Sequence, residues 1–172
     1  TAIKHEIAYT SKDRDNESIV INQSIGDNIC LPSLGRLGSG TLKFINYKKL
    51  NEFATKSATE ISVKMVNTDQ FVSVLSGGNT TKVVLARGLG RDSDIIVLDS
   101  PTRGIDIKVK QDIYQLMDQM RKDGKSIIMI SEELMELIGM CDRILIMKDG
   151  KISGQLDRDR DMNENSLISM MV

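Results

Sequence analysis

Ile95-Ile96-Val97-Leu98-Asp99 constrains the fold more than any other stretch of this chain. An apolar run closed by a carboxylate reads as a strand with a charged group at its carboxyl end. Helix and strand patterns alternate after it. Val109, Ile113, Leu116, Met117 and Met120 make one apolar helical face, and Asp123-Gly124 ends it. Residues 126–130 (Ser-Ile-Ile-Met-Ile) read as a buried strand, Leu134, Leu137 and Ile138 mark a short helix, and residues 143–147 read as another strand. Lys148-Asp149-Gly150-Lys151 is a hairpin turn by its Asp-Gly, feeding Ile152-Ser153-Gly154. Residues 157–161 read as a solvated linker, and residues 166–171 as a last short helix. Strands alternating with helices predict an α/β fold with a parallel sheet covered on both faces. Ligands of such sheets bind at the carboxyl ends of strands, where Asp99 and Ser131 fall.

Upstream, residues 6–10 read as a short strand that the polar Ser11-Lys12-Asp13-Arg14-Asp15-Asn16 ends. Ser24 with Asp27 three residues on is a capping pattern that opens a helix. Residues 30–75 read as a small helical insertion, with Leu50, Phe53, Ala54, Ser57, Ala58 and Ile61 on one stripe. Leu75-Ser76-Gly77-Gly78-Asn79 then runs straight into the helical Thr80 to Arg87. Bare backbone and a small hydroxyl ahead of a helix N-terminus make a ready anion site. Gly35-Arg36-Leu37-Gly38-Ser39-Gly40-Thr41 imitates the start of a phosphate-binding loop, whose lysine reaches the β- and γ-phosphates. Thr41 stands where that lysine is needed and no apolar strand precedes it, so this stretch reads as a flexible loop.

The succession Leu75–Asn79, Ile95–Asp99, Gly104-Ile105-Asp106 resembles the ATP-binding subunits of ABC transporters: signature loop, Walker B strand and D-loop. Asn79 after the glycines, and Pro101-Thr102-Arg103-Gly104-Ile105-Asp106, resemble the carbohydrate-importer branch, in which two nucleotide-binding halves share one polypeptide. The likeness covers nearly the whole chain and is greatest to the later part of the second half. It implies a P-loop NTPase (RecA-like) ABC ATPase core with a parallel sheet, lacking the P-loop strand, plus a helical subdomain. The implied layout is a Q-loop strand region over 1–23, a helical subdomain over 24–75 that meets the permease, the signature helix, Walker B and later core over 76–156, and a linker with a short helix over 157–172. The family's P-loop would lie before Thr1, which is no initiator residue and points to a chain cut from something longer. Its strand would fall between residues 126–130 and 143–147, so its loss would leave an unpaired edge.

The resemblance also assigns roles. Asp99 would hold magnesium; Ser76, Gly77, Gly78 and Asn79 would close over ATP held by the opposite half, with Asp106 across the same interface. Three hydrolytic positions depart from the family: Ser100 stands where a glutamate positions the attacking water, Glu132 where a switch histidine falls, and Lys12 at the Q-loop position. A serine hydroxyl is a poor base near neutral pH. The implied function is a fragment of a sugar-import ATPase, using ATP and Mg2+. Its signature loop acts in trans, its own site is degenerate, and the fragment alone is inactive. Its expected partners are the other nucleotide-binding half, the transmembrane permease and, indirectly, a sugar-binding protein, at the cytoplasmic face of the membrane. A non-hydrolytic regulatory or scaffold module on the same fold is the alternative.

Bulk properties trim other classes. A net charge of −1 offers no basic field, and 3% aromatics without Trp offer no stacking platform, so nucleic acid is not an expected partner. The same charge, with no coiled-coil arm, speaks against a chromosome-maintenance ATPase carrying the same signature. Two cysteines, Cys30 and Cys141, make no disulfide framework and fit a reducing compartment, and the scattered methionines read as core fillers. No apolar run approaches the roughly 18 residues of a membrane span, and no signal peptide is visible.

Overall fold

The computed structural model describes residues 2–38, 44–89, 93–158 and 162–171. The chain forms two compact units, Thr1–Ile128 and Met129–Val172.

In the first unit, β1 (Ile7–Thr10) is followed by a helical turn (Arg14–Ser18), α1 (Ile25–Cys30), α2 (Leu34–Leu37), α3 (Tyr47–Glu60), α4 (Gly77–Leu89), β2 (Ile95–Asp99) and α5 (Ile107–Lys122). β3 (Ser126–Ile130) carries the chain across the boundary. The sheet has the order β1-β2-β3, with β1 and β2 parallel and in the register Ala8↔Ile96, Thr10↔Leu98. Those four side chains are buried. α4 lies over this face, so close that a Cβ on Gly88 would sit 3.6 Å from Ala8. The other face is not closed as expected: Tyr9 is 60% exposed. β3 is likewise less buried than its apolar run suggests, with Ile128 and Ile130 about half exposed. The exposed positions alternate along β3, so one of its faces stands largely in solvent.

The helix starts follow their caps. Ser24 Oγ accepts from the Asp27 amide at 3.0 Å and donates to the Asp27 carboxylate at 2.6 Å, which opens α1. Asn46 Oδ1 accepts from the Lys48 and Lys49 amides and opens α3. Ala54, Ser57, Ala58 and Ile61 of the anticipated stripe are buried. α5 ends at Asp123, and Gly124 takes the left-handed φ of +86° that a helix stop favours. Asn28, 1% exposed, staples the loop before α1. Its Oδ1 accepts from the Val20 amide at 2.8 Å, and its Nδ2 donates to the carbonyls of Val20 and Ser24. Gly35, Arg36 and Leu37 lie inside α2 rather than in a flexible loop, because Pro32 and Ser33 start a turn that Leu34–Leu37 continues. Ser39, Gly40 and Thr41 fall outside the described residues. The polar stretch after β1 does not simply stop the strand, since Arg14–Ser18 coils into a turn capped by Asp13.

The second unit contains α6 (Leu134–Met140), the antiparallel pair β4 (Arg143–Lys148) and β5 (Lys151–Asp157), and α7 (Glu164–Met171). Asp149 and Gly150 turn the hairpin with φ of +49° and +75°, as Asp-Gly predicts. Ile144, Ile146 and Leu167 form its core, packed by Leu134, Leu137 and Ile138. Arg158 donates to the carbonyls of Cys141 and Gly139, satisfying the end of α6 with a cation where the helix dipole favours one. Asp157 belongs to β5 rather than to a linker, and Asp159, Arg160 and Asp161 fall outside the described residues.

Asn28→Ala is expected to cost about 2–4 kcal/mol, because both polar groups of Val20 lose a buried partner. Urea denaturation followed by far-UV circular dichroism reads this out. Burial, and secondarily the charge of Asp27, pushes the Cys30 thiol up to about 11. The folded state therefore favours the neutral thiol, and stability is expected to fall as pH rises from 9 toward 11, the same titration at each pH being the check.

Candidate functional site

Two clusters of side chains occupy the positions the sequence singles out. The first is the start of α4. Leu75 is extended, and the helix begins at Gly77 with Ser76 exposed ahead of it. Asn79 Nδ2 donates to Ser76 Oγ at 3.2 Å, and its Oδ1 accepts from the Lys64 amide at 3.0 Å. Asn79 thus orients the serine and ties it to the segment after α3. The two glycines divide the work. Gly77 is exposed, with open space where a side chain would stand except for Arg14 Nη2 at 3.8 Å. Gly78 is buried, and a Cβ there would press into Val109 of α5, 3.2 Å from its Cβ and 3.3 Å from its Cγ2. The second glycine therefore serves close helix packing, while its amide stays among the first-turn donors of α4.

Asp106 caps α5. Its carboxylate accepts from the Lys108 amide at 2.9 Å, and its carbonyl accepts from the Val109 and Lys110 amides. Asp106 and Gly78 are thereby joined through Val109, three residues from Asp106. Sequence reasoning missed two further anchors of α4. Lys82, 5% exposed, donates to the Asp112 carboxylate at 2.9 Å. Arg14 donates to Thr81 Oγ1 at 2.5 Å and to the Gly77 carbonyl at 3.4 Å. The only hint of the first in the sequence is a lysine leading the apolar Val83-Val84-Leu85-Ala86.

The second cluster stands at the carboxyl end of β2. Asp99 is half-buried; Tyr9 donates to its Oδ2 at 3.4 Å and Ser100 to its Oδ1 at 3.2 Å. Tyr9 is thus a further neighbour of this carboxylate. Ser100 takes φ +49°, a left-handed backbone that serine adopts at some cost. Its hydroxyl is spent on Asp99 and brings no charge of its own. Lys12 lies half-buried in the turn after β1. Glu132 is exposed in the second unit, between β3 and α6, beside Ser131, whose Oγ accepts from the Glu133 amide at 3.1 Å and donates to the buried Glu136 at 2.5 Å. Among the described residues no three His, Cys, Asp or Glu side chains converge into a metal cage.

Comparison with solved structures decides the fold. The MJ0796 bacterial ABC transporter cassette superposes with a TM-score of 0.72 at 22% identity, over 88% of this chain and 62% of that one. CbiO1 from Clostridium perfringens, part of the ABC transporter complex cbiONQ, gives 0.74 at 19%, over 96% and 62%. The chain has the fold of an ABC ATPase cassette. Ribose import ATP-binding proteins RbsA are among its curated relatives. That of Clostridium perfringens is 38% identical over 171 residues, 99% of this chain and 34% of the relative. Those of Lactococcus lactis and Mesorhizobium japonicum are 41% identical over 169 residues, covering 95% and 97% of this chain. The chain is thus a homologue of the ATP-binding subunits of sugar ABC importers, and it spans about a third of the length of the relatives it matches. No protein-family model matches it.

Gly78→Ala is expected to destabilise the cassette by about 1–3 kcal/mol, because Val109 must give way. Gly77→Ala is expected to change stability by less than about 1 kcal/mol. Chemical denaturation of the two variants side by side separates the roles of the glycines.

Proposed function

We propose that the chain is part of an ATP-binding subunit that couples ATP binding and hydrolysis to sugar import, with its signature loop completing an ATP site on the partner half. The exposed start of α4 carries this reading. Ser76 is held by Asn79, Gly77 is open, and the helix N-terminus behind them offers amides to an anion. Ser76 and the Gly77 and Gly78 amides would meet the γ-phosphate, and Asp106 would stand at the same interface. The identity to ribose import proteins supports sugar as the cargo.

Mg2+ suits the second cluster chemically, since Asp99 presents a hard oxygen at a strand end where a nucleotide would lie. When bound, the metal and triphosphate supply charge neutralisation and the scissile bond. What this chain's own residues do there is modest: Asp99 would ligate the metal, Tyr9 and Ser100 hold that carboxylate by hydrogen bonds, and neither Ser100 nor Lys12 offers a carboxylate to orient water. Glu132, at the switch position, has no imidazole. On this reading the chain's own site is degenerate, and hydrolysis belongs to the composite site it completes.

The layout of 1–23, 24–75, 76–156 and 157–172 goes with this proposal. Region 24–75 would meet the permease, and its helices α1, α2 and α3 border a cavity of about 500 Å³ lined by Val20, Leu31, Leu34, Leu50 and Ala54. The subunit would sit peripherally at the cytoplasmic face of the membrane; no described helix is long and apolar enough to cross it. The sugar-binding protein would be an indirect partner. A non-hydrolytic regulatory or scaffold role on the same fold is the second reading, and the hydroxyl in place of a general base at Ser100 favours it.

In the intact protein, Ser76→Arg is expected to lower ATPase activity by about tenfold or more, and Ser100→Ala to leave it within about twofold. An unchanged rate in Ser76→Arg, or its loss in Ser100→Ala, would overturn the proposed asymmetry. The 172 residues contain no P-loop motif. Calorimetric titration of this chain with Mg-ATP is expected to give a Kd weaker than about 1 mM, and micromolar affinity would contradict the reading.

A further inference from the structure

We propose that the turn over residues 11–18 and the signature helix α4 move as one body, clamped by two reciprocal arginine contacts. Arg14 and Arg87 are then positioning residues for Ser76. Arg14 reaches from the turn to the first turn of α4, donating to Thr81 Oγ1 and the Gly77 carbonyl. Arg87 reaches from the last turn of α4 back to the Ser18 carbonyl at 2.8 Å. The two contacts pin opposite ends of one helix to opposite ends of one turn.

The turn is stiff enough to transmit this. The Ser11 amide donates to Ser18 Oγ at 3.0 Å, the Glu17 amide to the Asp13 carbonyl at 3.0 Å, and the Asn16 amide to Asp13 Oδ1 at 3.2 Å. Ser11 Oγ also bonds Glu17. On the helix side Thr81 Oγ1 donates to the Gly77 carbonyl at 3.1 Å, so Arg14, Thr81 and Gly77 close a triangle. A cation near a helix N-terminus opposes the dipole, and the contact is maintained by its hydrogen bonds rather than by its charge. Lys12 lies two residues before Arg14, and Ser76 directly precedes Gly77. A displacement of the turn therefore drags Ser76 with it.

The bearing on catalysis rests on the reading of Ser76 given above; the mechanical coupling does not. Amide hydrogen exchange of the intact protein tests it, read on peptides covering 11–18 and 76–82. Thr81→Val, made in the helix, is expected to raise exchange in 11–18 by about tenfold, and Arg87→Met to do the same. Arg14→Met is expected to raise exchange in 76–82. If Arg14→Met unfolds the protein, Thr81→Val and Arg14→Lys carry the test, the lysine keeping the charge but losing the planar fork of the guanidinium. Loosening of α4 in Thr81→Val with 11–18 unchanged overturns the clamp. So does a uniform rise that includes α3 and α5. ATPase rates of the same variants separate the two ideas: loosened 76–82 peptides with an unchanged rate leave the clamp standing and sink the assignment of Ser76.

Discussion

The seat of α4 against α5 is the constraint on which the rest of the first unit depends. Gly78 lets the two helices approach at Val109, and no larger residue fits without displacing that side chain. Lys82 fixes the same pair one turn later, and a cation this deeply buried requires its carboxylate. Because Asp106 caps α5 only three residues before Val109, the packing that seats α4 also sets the start of α5. Asp99 then emerges from β2, whose neighbour β1 is covered by α4. A single helix thus organises both clusters: one at its N-terminus, the other at the end of the sheet it covers.

Much of this was legible in the sequence because it is local. The apolar run to Asp99, the Ser24 cap, the Asp123-Gly124 stop and the Asp149-Gly150 hairpin each encode their geometry within a few residues. The family wording of residues 75–106 did the same for the fold at large. Its expectation of a parallel ABC ATPase core holds against solved cassettes.

What escaped is non-local. Lys82 meets a carboxylate 30 residues away and Arg14 a hydroxyl 67 residues away, separations that no periodicity reports. Gly77 and Gly78 look equivalent in sequence, yet one faces solvent and the other a valine. β3 looked buried because an apolar run carries no information on whether one face of the sheet is covered or both. The helical turn at Leu34–Leu37 was hidden by the glycine at 35, which tertiary context overrides.

The open flank of β3 governs how this chain behaves in concentrated solution. Among the described residues β3 ends the sheet, and with isoleucines half in solvent at positions 128 and 130 it is a template for a further strand. At high concentration a second copy can supply that strand, so self-association is the behaviour such an edge favours. Dilute handling, or a lysine on that flank, is the physical remedy.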